Sequence, residues 1–177
     1  AQKHIAPHAH AWEEAEEFPR ELYRTAAEAG VLGISYPPEV GGVGGDIGHG
    51  LVAAEEMVLH GHSVGTCVGL NSHAIALPPI VQFGTPEQKE RFVRPVLAGE
   101  KVSALAITEP GGGSDVARLR TTAVRDGDHY VVNGSKTFIT SGCRADIVTT
   151  AVRTGGEGHG GISLLVIERD TPGFTVG

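Results

Sequence analysis

Ala104-Leu-Ala-Ile-Thr-Glu-Pro-Gly-Gly-Gly-Ser-Asp115 is the stretch on which the reading of this chain turns. Its apolar start is strand-like. Glu109-Pro110 ends the strand, because proline has no N–H for a ladder and drives the residue before it to extended geometry. Gly111, Gly112 and Gly113 then let the backbone take positive φ and come close to a ligand or another segment. Exposed amides flanked by the hydroxyls of Thr108 and Ser114 suit such a loop to a polar, flat or phosphorylated molecule. Phe138-Ile-Thr-Ser-Gly142 follows, so the hydroxyl of Thr140 joins those of Thr108 and Ser114 around one candidate pocket.

Upstream of Gly99 the periodicity is helical. Phe18-Pro-Arg-Glu21 puts proline at a helix start, and Leu22, Ala26 and Ala29 form one apolar stripe ending at Gly30. After an irregular connector, Tyr36 to Asp46, the helical pattern resumes from Ile47 to Leu59 with Leu51, Ala54 and Val58 on one face. Ser72 to Phe83 reads as a buried helix kinked by Pro78-Pro79. Thr85-Pro86-Glu87-Gln88 carries the signature of a capped helix start, and that helix should run to about Ala98, with Arg94-Pro95 disturbing its last turn.

From Lys101 onward the signals are strands and tight turns. Thr121–Arg125 and His129–Asn133 flank Asp126-Gly127-Asp128, a hairpin signature. Asn133-Gly134 turns the chain into a further extended run, Lys136–Thr140. Ile147–Arg153 and Ile162–Glu168 are β-rich and separated by a glycine-rich loop. The expected fold class is α+β: an N-terminal all-α helical domain over 1–100, then an antiparallel, barrel-like all-β domain over 101–177 that is truncated at its end.

Composition removes several classes of function. The net charge of −7, with no basic run, argues against a nucleic-acid surface, which needs clustered cations. The lone Cys67 and Cys143, without CxxC spacing, fit a reducing compartment better than a disulfide framework. No apolar run of membrane-spanning length and no secretory leader is expected. Gly42-Val-Gly-Gly45 lacks both a preceding strand and the third glycine of a dinucleotide fingerprint. Gly134-Ser-Lys-Thr137 has Ser135 where a phosphate loop needs glycine. The spacings of His4, His8 and His10, or of His60 and His62, bring no cysteine or carboxylate to complete a metal site, so no metal is expected. Glu109 beside proline is read as a turn anchor before a general base, and Asp115 as a cap on backbone amides.

At this point the residues resemble a family. Ile107-Thr-Glu-Pro-Gly-Gly-Gly-Ser-Asp115 resembles the first signature of acyl-CoA dehydrogenases, and Phe138-Ile-Thr-Ser-Gly142 resembles their Trp-Ile-Thr-Asn-Gly segment. Leu32 to Gly42, Gly84-Thr-Pro-Glu-Gln-Lys89, Leu97-Ala-Gly-Glu100 and Thr171-Pro-Gly-Phe174 are similar to the family in the expected order. The resemblance implies the family's N-terminal helical domain and most of its middle β-domain, without the C-terminal helical domain.

What the resemblance implies about function is specific. FAD would lie against Leu105, Ala106, Ile107, Thr108, Gly113 and Ser114, with Phe138, Ile139 and Thr140 bordering the isoalloxazine. Ser114 would also meet the acyl-CoA substrate. Phe138 stands where the family usually has tryptophan, which keeps an aromatic wall and loses an indole N–H. The implied reaction is α,β-dehydrogenation of an acyl-CoA thioester in fatty-acid β-oxidation, with the α-proton taken by a carboxylate and the β-hydride passed to flavin N5. The base is expected in the C-terminal helical domain, so no catalytic residue is assigned here. An electron-transfer flavoprotein as acceptor, a homo-oligomer (dimer or tetramer), and a bacterial cytoplasmic or mitochondrial matrix location are further implications. An acyl-CoA oxidase, a flavin monooxygenase of the same fold and a non-catalytic binding fragment are the alternatives.

Overall fold

Helices fill the first part of the chain and strands the second. A computed structural model describes residues 1–177, which divide into two units, Ala1–Val102 and Ser103–Gly177.

The helical unit contains α1 (Ala9–Glu14), α2 (Glu21–Glu28), α3 (Ile47–Gly61), α4 (Val64–Leu70), α5 (His73–Ala76), α6 (Pro78–Phe83), α7 (Pro86–Gln88) and α8 (Arg94–Leu97). α2 begins after Pro19 and buries Leu22, Tyr23 and Ala26; Ala29 lies just past its end. Its core partners include Ile5, Phe18, Leu32, Met57 and Leu70. α3 is opened by a capping box in which the Asp46 carboxylate accepts from the His49 amide. The stripe expected on α3 does not turn inward. Leu51 is exposed and Ala54 and Val58 are half-buried, while Met57 and Gly61 face the core.

The run expected as one kinked helix begins earlier, at Val64, and is broken twice. Ser63 caps α4 by accepting from the Thr66 amide, and Pro78-Pro79 start α6, where their missing N–H groups leave no helical bond unmade. By length and composition Val64–Phe83 is apolar enough to cross a membrane, contrary to the expectation that no run reaches that length. Leu70, Ala76, Leu77 and Ile80 are buried. His73 pins the connector to this run: one ring nitrogen faces the Leu70 carbonyl at 2.9 Å and the other the Leu32 carbonyl at 2.8 Å. The Tyr36 hydroxyl donates to the carbonyl of His73 at 3.0 Å. Burial holds the imidazole below its ordinary pKa, against the two carbonyls that would raise it.

Thr85 caps α7 as its sequence predicts, with the Gln88 side chain returning to the Thr85 amide at 2.9 Å. Pro95 is accommodated by a π-helical stretch, Lys89–Val93, directly before α8. A wider turn relieves the contact between a proline ring and the preceding carbonyls.

The sheet unit holds β1 (Ser103–Ala106), β2 (Thr122–Asp126), β3 (His129–Asn133), β4 (Ile147–Arg153) and β5 (Ile162–Glu168). β4 is central, and every residue from Ile147 to Val152 is buried. It pairs antiparallel with β5 along its whole length, from Ile147↔Glu168 to Arg153↔Ile162. β2 and β3 form the hairpin read from Asp126-Gly127-Asp128, and Thr122↔Arg153 joins that hairpin to β4.

Two expectations are corrected here. The sheet is mixed where an antiparallel one was expected, because β1 runs parallel to β4 from Ser103↔Ile147 to Ala106↔Thr150. Parallel neighbours need a long crossover, and residues 107–146, hairpin included, supply it. Lys136–Thr140 joins no strand ladder. Phe138 takes φ +57°, which ends any extended run at that residue.

Candidate functional site

β1 delivers the chain to the glycine turn. Ala104 and Ala106 point to one face and join Ala145, Val148 and Ile139 in a core cluster; Leu105 points to the other face and is half-buried. Past Ile107 and Thr108, Glu109 and Gly112 exchange backbone hydrogen bonds of 3.0 Å in each direction. This closes a tight turn over Pro110 and Gly111, with Gly112 at φ +151°. Gly113 packs against Thr108 so closely that a Cβ there would lie 3.0 Å from the threonine methyl. At Gly111 and Gly112 an added Cβ would touch no atom of the sheet unit.

The second segment is tied to the first by its backbone. The Thr137 amide donates to the Thr108 carbonyl at 2.8 Å. Beyond it, Phe138 stands with 92% of its surface exposed, and Ile139 turns inward to the cluster that holds Ala106. The Gly142 amide closes back on the Ile139 carbonyl at 2.8 Å. Thr140 and Ser114 expose their side chains. The structure therefore brings Ile107, Thr108 and Gly113 beside the Phe138–Thr140 segment. Ser114 is bonded to neither Phe138, Ile139 nor Thr140. Ala106 and Ile139 spend their side chains on packing.

A buried ion pair sits under this arrangement. The Lys136 ammonium donates to the Ile107 carbonyl and to the Glu109 carboxylate, both at 2.9 Å. The two side chains are only 9% and 10% exposed. The same carboxylate accepts from the Arg120 amide at 2.7 Å and the Thr121 amide at 2.8 Å. Burial alone would raise the Glu109 pKa, but hydrogen bonds from Thr121, the Arg120 amide and Lys136 outweigh it and hold it at about 2. A carboxylate so fully engaged is an anchor, as its place beside proline predicts, and not a proton acceptor.

Nothing in the sequence marks Lys136 as a functional residue: it stands in a rejected phosphate-loop pattern and at the start of the run Lys136–Thr140. Its partner lies 27 residues away, and no periodicity links the two positions. Arg153 is a second such residue: its guanidinium donates to the carbonyls of Ala117, Leu119, Gly156 and Gly158 and binds two loops to the end of β4.

Family comparison covers nearly the whole chain. The model for the acyl-CoA dehydrogenase N-terminal domain matches residues 1–100, and that for the middle domain matches residues 104–177. The chain belongs to the acyl-CoA dehydrogenase family. An acyl-CoA dehydrogenase of Bacillus subtilis is 39% identical over 100% of this chain and 47% of its own length. A Mycobacterium smegmatis protein described as an acyl-CoA dehydrogenase superposes with a TM-score of 0.96 at 54% identity, over 98% of this chain and 45% of that one. A glutaryl-CoA dehydrogenase of the same organism, solved in complex with FADH2, gives 0.84 at 29% identity, over 98% and 43%. The chain thus spans just under half the length of these relatives.

Proposed function

We propose that this chain is the flavin-binding part of an enzyme that carries out FAD-dependent α,β-dehydrogenation of acyl-CoA thioesters. One observation carries the reading: the Thr137–Thr108 and Lys136–Ile107 hydrogen bonds set the glycine turn beside the Phe138–Thr140 segment. The residues fit an isoalloxazine, which has a flat apolar body and a polar rim. Phe138 offers an uncovered aromatic face, Thr108, Ser114 and Thr140 offer hydroxyls, and the backbone at Gly111 and Gly112 is open to close approach.

In this reading Leu105, Ala106, Ile107, Thr108, Gly113 and Ser114 form one side of the FAD site, and Phe138, Ile139 and Thr140 the other. Ala106 and Ile139 contribute backbone alone, since their side chains belong to the core. FAD, when bound, supplies the two-electron acceptor. This chain's residues orient it, cover its apolar body and exclude water from the reacting face. Ser114 also meets the acyl-CoA. Proton abstraction falls to a carboxylate outside these residues, because Glu109 spends its oxygens on Lys136 and the Arg120 and Thr121 amides and, at a pKa of about 2, is too weak a base. An electron-transfer flavoprotein as electron acceptor, a dimeric or tetrameric assembly, and a bacterial cytoplasmic or mitochondrial matrix location complete the proposal. A bacterial relative and mitochondrial relatives support the last of these.

Reconstitution of the full gene product with FAD tests the proposal. A yellow protein whose bound flavin is bleached anaerobically by an acyl-CoA is expected. Phe138→Ala should weaken FAD binding about tenfold, the scale of one aromatic contact, and leave stability within about 0.5 kcal/mol because the ring is exposed. A colourless protein that takes up no FAD overturns the proposal. Rapid peroxide release during turnover replaces the dehydrogenase with an oxidase.

A further inference from the structure

We infer that Glu109 and Lys136 are positioning residues that couple the two loops of the flavin site, so that the affinity and environment of the bound flavin depend on an ion pair that does not touch it. The inference rests on the flavin reading above and extends it to two residues that reading does not use.

Hydrogen bonds, one packing contact and the chain itself form a closed circuit. Lys136 Nζ reaches the Ile107 carbonyl, one residue before Thr108, and the Glu109 carboxylate, one residue after it. Lys136 itself precedes Thr137, whose amide donates to Thr108. Thr108 is therefore held from the lysine side at its own carbonyl and through both its neighbours. From Glu109 the circuit continues through the Arg120 and Thr121 amides to the start of the β2–β3 hairpin. It returns at the end of the hairpin, where Gly134 packs so closely on Thr121 that a Cβ would lie 2.4 Å from its hydroxyl oxygen. Two residues later the chain is again at Lys136.

Charge and burial make this circuit directional. Lysine presents three donors and no acceptor, and Glu109 accepts along two oxygens, so the pair holds the Ile107 carbonyl and the consecutive Arg120 and Thr121 amides at once. Both side chains are about nine-tenths buried, which makes replacing either one costly for the other. Nothing in this network requires the flavin. The segments it fixes are nonetheless the ones that carry Thr108 and Phe138.

The test compares wild-type full gene product with Lys136→Met, Lys136→Arg, Glu109→Gln and Phe138→Ala, by amide hydrogen exchange without FAD and by FAD titration. Lys136→Met should speed exchange at both Thr137 and Gly112, weaken FAD binding tenfold or more, and alter the visible circular dichroism of the flavin that still binds. Lys136→Arg should restore most of the affinity. Phe138→Ala should weaken FAD binding and leave exchange unchanged, which separates loss of a contact from loss of loop position. If Lys136→Met does not accumulate as folded protein, Glu109→Gln takes its place, with exchange read at Arg120 and Thr121. Folded Lys136→Met or Glu109→Gln with wild-type FAD affinity and flavin spectrum overturns the inference. Wild-type protein that takes up no FAD overturns the flavin reading instead, and the exchange pattern alone then decides whether the pair couples the loops.

Discussion

At Glu109 burial and hydrogen bonding pull one carboxyl in opposite directions, and hydrogen bonding prevails. Its pKa of about 2 in the folded chain lies below the ordinary 4.5. The unfolded chain therefore takes up the proton first as pH falls. Stability owed to this group is fully present above pH 4.5 and drains away as pH drops toward 2. Denaturant unfolding followed from pH 6 to about pH 3 should show a steeper loss in the wild type than in Glu109→Gln, which has no such proton to gain. Parallel curves would contradict the assignment. The sequence supports the anchor role, because Pro110 and the glycines fix where the turn must be. It could not name Lys136, since a salt bridge between two loops leaves no local pattern.

Among elements, the legible ones are those whose cause is local. Thr85 with Gln88, Asp126-Gly127-Asp128 and the β-rich runs of β4 and β5 all appear where their residues place them. The parallel pairing of β1 with β4 was not legible, because it depends on how the whole crossover folds and not on either strand. The inward face of α3 was missed for a related reason: an apolar stripe reports what can be buried, not what lies against it. The exit of the β2–β3 hairpin gives a sharp expectation. Gly134 takes φ +152° and lies against Thr121, so Gly134→Ala must displace backbone and should cost about 2–3 kcal/mol. Gly127→Ala, at φ +62° in open space, should cost only about 1 kcal/mol. Equal costs in chemical denaturation would remove Gly134 from the circuit.

For the molecule as a whole, the helical unit exposes several large apolar side chains. Ile47 is 90% exposed and Leu51 69%, and Val52, Val64, Val68, Ile75 and Phe83 are exposed as well. The 177-residue chain by itself should therefore self-associate as its concentration rises, and Ile47→Lys with Leu51→Lys should suppress this without lowering its melting temperature. Sedimentation as a monomer at every concentration would contradict that expectation. The bare backbone at Gly111 has a different meaning. A glycine squeezed by its own protein or held at positive φ reports on folding; Gly111, with vacant space above it and no positive φ, does not. A methyl grafted onto Gly111 would act as a feeler pointing outward, silent to the folded chain and sensed only by a visitor.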